Sequence, residues 1–198
     1  IIVEMEEQPG YHTTGRSAAL FVETYGNAVI RAINRASRTF LDGPPDGFCD
    51  GLILTPRGTM FVATDETLPN LQAEYAEVNQ LTTSVRLIDA GDVHALHPAL
   101  NRDLIVAGLY SPEDMDIDVS ALHWGYLRGA RSRGATLIGD AEMHGLERRG
   151  DTWFASTRAG DFEAPIVINA AGAWADGVGA MAGARPIGLV PKRRTAFT

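Results

Sequence analysis

The sequence contains little cysteine and no long apolar run. Cys49 is the single cysteine among 198 residues, so the chain forms no internal disulfide and holds no CxxC metal or redox motif. No apolar stretch reaches the roughly 18 residues that cross a bilayer, and no basic region followed by an apolar one marks the start. We therefore expect a soluble protein of a reducing compartment, the cytoplasm.

Positive charge is also scarce. The chain has 17 Lys and Arg against 25 Asp and Glu, a formal net charge of -8, and its one basic run is Lys192-Arg193-Arg194. Because a nucleic-acid-binding surface normally carries a clustered basic patch, we expect no nucleic-acid partner. The hydrophobic share of 45% is typical of a globular protein with a buried core.

Metal ligands in a recognisable pattern are absent as well. The five histidines show no i,i+4 pair of the kind that binds zinc. Asp114, Asp116 and Asp118 alternate as in a calcium loop, but Val119 stands where that loop requires glycine. We therefore expect no metal, and we expect Asp118 to cap a helix that follows it.

Hydrophobic spacing and turn residues predict the elements of the first part of the chain. They are a strand over residues 1–5, a helix in two pieces over Ser17–Leu41 with Ser17 as N-cap and a break at Gly26, a hairpin over residues 51–64 whose arms meet at Thr55–Gly58, a helix over Leu68–Leu81, a strand over residues 85–89, a short helix over Ala90–Leu96, a strand over residues 104–111 and an acidic loop over residues 112–118.

In the second part, a helix is predicted from Val119 to Arg133-Gly134, followed by a strand at residues 135–139. Three strands of a β-meander follow, within residues 141–150, 152–160 and 162–172. The apolar run Ile166–Ile168 indicates a strand buried on both faces of a mainly parallel sheet. Together these elements predict a mixed α/β fold in which an antiparallel insertion interrupts one αβ layer.

Three stretches carry candidate chemistry, each with a simpler alternative. Glu4 ends the first strand, where dinucleotide-binding folds place an acid on a ribose, although a solvated glutamate is the simpler explanation. The hydroxyls and Gly15 of residues 13–17 suit an anion at a helix N-terminus, or ordinary capping. The small residues 170–173 after a strand suit the close approach of a cofactor, or a tight turn.

In order and spacing, "EQPGYHTTGRSAAL", "DMDIDVSALHWGYLRGARSRGA" and "VINAAGAWAD" resemble the FAD-dependent D-amino-acid oxidase/glycine oxidase superfamily. The likeness covers essentially the whole chain and is strongest to bacterial FAD-dependent oxidoreductases. It implies a Rossmann-like FAD-binding domain interrupted by a mainly antiparallel substrate domain. Residues 1–41 and 119–184 would form the partial FAD-binding domain, and residues 42–118 and 185–198 the partial substrate domain.

The resemblance also implies a set of FAD-binding residues. Glu4 matches the acid that holds the adenosine ribose, and Met143 stands where the family pairs its backbone with adenine. The first flavin-contacting turn matches Thr14, Gly15, Arg16, Ser17 and Ala18. The second matches Ala170, Ala171, Gly172 and Trp174. His12 lies beside the first turn, and Arg57 and Arg194 are candidates for a substrate carboxylate.

The implied function is oxidation of a small amino acid or amine by hydride transfer to flavin, which needs no side-chain nucleophile. Alternatives are a dehydrogenase for an amino acid or 2-hydroxy acid with a quinone acceptor, and a non-catalytic structural or interaction module.

The family's GxGxxG turn does not occur in these residues. We expect it to precede Ile1, so that the chain is an internal piece that binds FAD weakly and is inactive alone. Exposed sheet edges would then favour homo-oligomers.

Overall fold

The structure, a computed structural model, describes residues 1–193 and residue 195. The chain divides into two compact units. One comprises Ile1–Arg16 together with the described residues from Tyr126 onward, and the other comprises Ser17–Gly125. The assignment of residues to an FAD-binding and a substrate domain stays a prediction.

The described residues form eleven short strands and five α-helices. The strands are β1 (Ile2–Val3), β2 (Leu20–Phe21), β3 (Leu54–Pro56), β4 (Thr59–Ala63), β5 (Arg86–Asp89), β6 (Ala107–Ser111), β7 (Met115–Ile117), β8 (Leu137–Ile138), β9 (Met143–Arg149), β10 (Thr152–Thr157) and β11 (Gly160–Ala164). The helices are α1 (Ala28–Asp42), α2 (Leu68–Val78), α3 (Ala90–Leu96), α4 (Val119–Ser132) and α5 (Ala175–Met181). The predicted mixed α/β class is confirmed.

The Ser17–Gly125 unit contains two three-stranded antiparallel sheets, β2-β7-β3 and β4-β6-β5. Helix α2 packs on the second sheet, because its apolar side chains meet those of β4 and β6. The buried residues of this cluster are Ala63, Leu71, Val78, Val85, Ala107 and Leu109. A second buried cluster consists of Phe21, Leu41, Ile53 and Leu54.

The other unit contains the parallel pair β1-β8 and the meander β11-β10-β9. The predicted meander is confirmed, with a register shift where Thr157 meets Met143.

Helices α2, α3 and α4 also lie where the sequence predicts them. The Oδ1 atom of Asp118 accepts the Ala121 N–H at 2.8 Å, so the predicted cap of α4 is confirmed.

The helix predicted from Ser17 is wrong in its first piece. Thr14–Arg16 form a turn of 3-10 helix, and Leu20–Phe21 form β2, which pairs with β7. Helix α1 begins only at Ala28, and its N-cap is Asn27, whose Oδ1 accepts two N–H groups at 3.1 Å. The left-handed φ of +84° at Gly26 interrupts the helical path, so Ser17 caps no α-helix.

The predicted hairpin at residues 51–64 is also wrong, although both of its strands exist. Strand β3 pairs with β7, whereas β4 pairs with β6 in the other sheet. The N–H groups of Arg57 and Gly58 donate to the Asp114 carbonyl at 3.2 and 2.8 Å. The segment predicted as an acidic loop therefore contains a strand, β7, to which β3 is hydrogen-bonded.

Ile166–Ile168, predicted as a strand buried on both faces, form no strand. Ile166 is 75% and Ile168 85% exposed, and β11 ends at Ala164. An apolar run becomes a buried strand only when neighbouring strands satisfy its backbone groups. No described strand pairs with these residues.

None of the helices in residues 1–193 is both long enough and apolar enough to cross a membrane.

Candidate functional site

Glu4 lies directly after β1, which pairs in parallel with β8. Its N–H donates to the Ile138 carbonyl at 2.9 Å, and its carbonyl accepts the Ala141 N–H at 2.8 Å. One carboxylate oxygen, Oε1, accepts the Glu6 N–H at 3.1 Å. Within the described residues the other oxygen has no hydrogen-bond partner, so it is available to a hydroxyl group.

The segment after β8 brings Met143 near this acid. The Asp140 N–H donates to the Glu6 carbonyl at 3.0 Å. Gly139 permits this close approach, since a Cβ atom there would lie 2.6 Å from the Glu7 carbonyl oxygen. Met143 opens β9 two residues after Ala141, so the two residues implied for the adenosine part of FAD lie on adjoining segments.

The loop before Arg16 is closed by backbone contacts. The Gly15 N–H donates to the Gly10 carbonyl at 2.6 Å, and a Cβ atom on Gly15 would lie 2.4 Å from that oxygen. The Nε–H of Arg16 donates to the Tyr11 carbonyl at 3.1 Å, and its guanidinium lies 4.8 Å from the centre of the Tyr11 ring. Only glycine fits at position 15 without a shift of the loop.

His12 connects this loop to the second predicted flavin turn. Its Nε2 lies 2.8 Å from Oε1 of Glu6, and its ring centre lies 4.8 Å from that of Trp174. The structure therefore brings the loop before Arg16 next to the second turn, although the two lie far apart in sequence. No local pattern in the sequence indicates that Glu6 would hold His12.

The second turn is held by its own polar side chain. Asn169 donates from Nδ2 to the Ala175 carbonyl at 2.8 Å and accepts the Ala171 N–H at 3.2 Å. Gly172 has a left-handed φ of +53°, with open space around its Cβ position. Ala170, Gly172 and Trp174 are exposed, so the turn presents an open surface of small residues beside an indole ring. Such a surface suits close approach of a flat ring system.

Asp176, which sequence reasoning missed, anchors the segment that follows α5. Its carboxylate accepts three consecutive backbone N–H groups, from Ile187 at 3.0 Å, Gly188 at 3.0 Å and Leu189 at 2.8 Å. These bonds, led by that from Ile187, lower the pKa of the Asp176 carboxyl. The signal in the sequence is weak, because the partners lie 11–13 residues away.

The remaining predicted site residues are Ser17, Ala18, Arg57 and Arg194. Ser17 and Ala18 are exposed and begin the other compact unit. Arg57 pairs with Asp116 at 2.7 Å, so its guanidinium already has a carboxylate partner. Arg194 lies outside the described residues. Among residues 1–193 no group of His, Cys, Asp and Glu side chains could hold a metal ion.

The sequence is similar to a known family and to curated proteins. The model of the family DAO, "FAD dependent oxidoreductase", matches residues 1–198. Rat (Rattus norvegicus) mitochondrial dimethylglycine dehydrogenase is 36% identical over 129 residues, which are 65% of this chain and 15% of that protein.

Solved structures that share the fold include two oxidases. Glycine oxidase from Geobacillus kaustophilus superposes with a TM-score of 0.77 at 22% identity, over 92% of this chain and 51% of that one. FAD-bound L-α-glycerophosphate oxidase from Mycoplasma pneumoniae superposes with a TM-score of 0.75 at 17% identity, over 91% and 50%. The chain thus spans about half the length of these two oxidases. This chain belongs to the FAD dependent oxidoreductase family.

Proposed function

We propose that this chain is part of an enzyme that oxidises a small amino acid or amine with FAD as its resident cofactor. The observation that supports the proposal most directly is the contact of His12 with Trp174. It joins the loop of His12, which leads into Thr14–Arg16, to the second turn that the family resemblance assigns to FAD, and both lie in the same compact unit as Glu4.

Each part of FAD would have residues of fitting chemistry. The unpartnered carboxylate oxygen of Glu4 would accept a ribose hydroxyl, and the backbone of Met143 would pair with adenine. The residues implied for the pyrophosphate and flavin are Thr14, Gly15, Arg16, Ser17 and Ala18 from one turn and Ala170, Ala171, Gly172 and Trp174 from the other. When bound, FAD supplies the acceptor for the hydride that leaves the substrate carbon.

The chain's own contribution is to position these groups. Gly15 allows the first loop to close on Gly10, and Asn169 holds the second turn through two hydrogen bonds. Glu6 orients His12 against Trp174. Because the turns are held by contacts inside the chain, their shape would be set before the cofactor binds, which lowers the entropic cost of binding.

For the substrate, we propose a small amino acid such as glycine or its N-methylated derivatives. The names of two similar proteins, glycine oxidase and dimethylglycine dehydrogenase, support this class. A second candidate function is a dehydrogenase that passes electrons to an acceptor other than oxygen, and it is favoured by the 36% identity to dimethylglycine dehydrogenase over 129 residues.

The proposal of a flavoenzyme is tested by the visible spectrum of the purified natural protein. We expect the absorbance of oxidised flavin, and its bleaching by glycine, sarcosine, dimethylglycine or D-alanine under anaerobic conditions. Peroxide formation in air would identify an oxidase, and reduction of a quinone or dye without peroxide a dehydrogenase. A colourless protein that gains no flavin spectrum with added FAD would contradict the proposal and favour the non-catalytic module.

The role of Glu4 is tested by Glu4→Gln, with Glu7→Gln as a matched control. Both variants remove one negative charge from the same segment, but Glu7 is exposed and its side chain makes no hydrogen bond or ion pair within the described residues. We expect Glu4→Gln to weaken FAD binding about tenfold, since a hydrogen bond to a charged group contributes about 1.5–3 kcal/mol. Titration of the apoprotein with FAD measures the affinity. Equal affinities of the two variants would remove Glu4 from the site.

A further inference from the structure

The Ser17–Gly125 unit contains a cavity of about 360 Å³. Its walls are formed by α1, by residues 21–24, by the stretch 81–85 and by the stretch 111–114. The volume is at the lower end of the range typical of small-molecule sites. None of the residues assigned to FAD above lines this cavity, so it is separate from the proposed cofactor site.

Helix α1 directs three arginines towards the cavity. Arg31, Arg35 and Arg38 all line it, and their i, i+4, i+7 spacing places them on one face of the helix. Three cations this close repel one another unless each is neutralised. The contacts of the three side chains therefore decide which of them is available to a ligand.

Two of the three arginines are occupied. The Nε–H of Arg31 donates to the Thr24 carbonyl at 2.8 Å, and its guanidinium pairs with Glu77 at 2.8 Å. Arg38 pairs with Asp42 at 2.6 Å and with Glu23 at 3.3 Å. The remaining arginine, Arg35, is exposed and has no hydrogen bond, ion pair or ring contact within the described residues.

The cavity is also lined by two acids, Asp114 and Glu113, that have no cationic partner among the residues the structure describes. Asp114 is buried, and its carboxylate accepts hydrogen bonds from the Thr59 and Ser111 hydroxyls. Burial raises the pKa of this carboxyl. Glu113 is exposed and has no side-chain partner in the described part of the chain. Considering residues 1–193, the lining thus presents the unpaired guanidinium of Arg35, the unpaired carboxylate of Glu113 and the buried carboxylate of Asp114.

We propose that this cavity binds a small zwitterion of the α-amino-acid class, with its carboxylate on Arg35 and its ammonium group on Glu113 and Asp114. Guanidinium and carboxylate form a charge-assisted, bidentate pair. A simple anion would meet the two acids of the wall, and a simple cation would meet Arg35. The proposal concerns a second site and does not depend on the proposed flavin chemistry.

Glycine is the probe for the test, because it carries both charges and little else. The ¹⁵N-labelled 198-residue chain, without FAD, is titrated with glycine and followed by amide chemical shifts. We expect saturable shifts at lining residues such as Ala32, Ser84 and Ser111. Methylammonium and acetate, each carrying only one of the charges, should bind at least several-fold more weakly than glycine.

Two variants and a control make the test specific. Arg35→Gln should weaken glycine binding about tenfold, and Glu113→Gln should weaken it several-fold. Arg102→Gln removes the same charge from an exposed arginine outside the cavity and should leave the affinity unchanged. All three positions are exposed, so the folded state, checked by circular dichroism, is retained.

Three results would overturn the proposal. The first is the absence of saturable shifts with glycine in the folded chain. The second is equal affinity of Arg35→Gln and Arg102→Gln for glycine. The third is binding of acetate or inorganic phosphate as tight as that of glycine, which would identify a plain anion site.

Discussion

The sheet β4-β6-β5 and the segment at residues 165–190 are both rich in apolar residues, but they are stabilised in different ways. In the sheet, apolar side chains are buried against α2, and Leu71 is 6% exposed. In the segment, Ile166, Ile168, Ile187 and Val190 remain exposed. What holds the segment is polar, namely the hydrogen bonds of Asn169 and Asp176 to the backbone.

The difference shows that apolar composition alone does not make a core. Burial requires a second surface whose own backbone is satisfied, as α2 supplies for the sheet. For the segment at residues 165–190, no described element supplies such a surface. Its apolar side chains therefore remain exposed to solvent, and polar contacts fix its conformation. Four substitutions test how the two regions are stabilised.

The largest effect is expected at Leu71, whose side chain is buried between α2 and the sheet. Leu71→Ala should lower the free energy of unfolding by about 2–5 kcal/mol, because it removes apolar contacts and leaves a cavity. Ile168→Ala, in the exposed segment, should change it by less than about 0.5 kcal/mol. Urea denaturation measures both. Similar losses of stability for the two variants would show that the apolar residues of the two regions contribute equally.

A smaller effect of opposite sign is expected at His94 on α3. This side chain is buried, and within the described residues neither ring nitrogen has a hydrogen-bond partner. An unpartnered buried polar group costs about 1–3 kcal/mol. His94→Leu should therefore raise the free energy of unfolding by about 1 kcal/mol, measured by urea denaturation. A clear loss of stability would indicate that the imidazole has a partner.

The smallest and most local effect is expected at Asp176. Its pKa is lowered in the folded chain from the ordinary value of 3.8, so its stabilising contribution is complete above that value. The contribution is lost as the pH falls through the lower, folded-state pKa. Amide exchange at Ile187, Gly188 and Leu189 should accelerate in that acidic window beyond the intrinsic pH dependence.

The variant Asp176→Asn gives the same result at neutral pH, where exchange at these three amides should become faster. The amides of β10 serve as the internal control, since their hydrogen bonds do not involve Asp176. Unchanged exchange at Leu189, the partner with the shortest of the three bonds, would show that Asp176 does not hold the segment.

Local patterns predicted much of the fold. Helices α2, α3 and α4 and the meander β9–β11 follow from spacing, caps and glycine turns, which act within a few residues. The prediction of a helix from Ser17 was wrong in its first piece, because Gly26 interrupts the helical path and Leu20–Phe21 pair with a distant strand. The prediction of a hairpin at residues 51–64 was wrong because its two strands pair with β7 and β6, which lie far along the chain, and not with each other.

For the candidate site, residue types and the family resemblance together pointed to Glu4, to the loop at residues 14–18 and to the turn at residues 170–174. They gave no sign of how these parts meet. The contact of His12 with Trp174 and the pairing of Glu6 with His12 depend on chain path rather than on local composition. The capture of residues 187–189 by Asp176 is of the same kind.

The sequence by itself determined the local helices and turns, the mixed α/β class and the membership of the FAD dependent oxidoreductase family. Spacing, capping and the small-residue turns are short-range properties, so they can be recognised from the sequence alone. Only the tertiary structure decided which strands pair, that His12 meets Trp174 and that Arg35 has no partner among the described residues. Those outcomes depend on hydrogen bonds and ion pairs between residues that only the folded chain brings together.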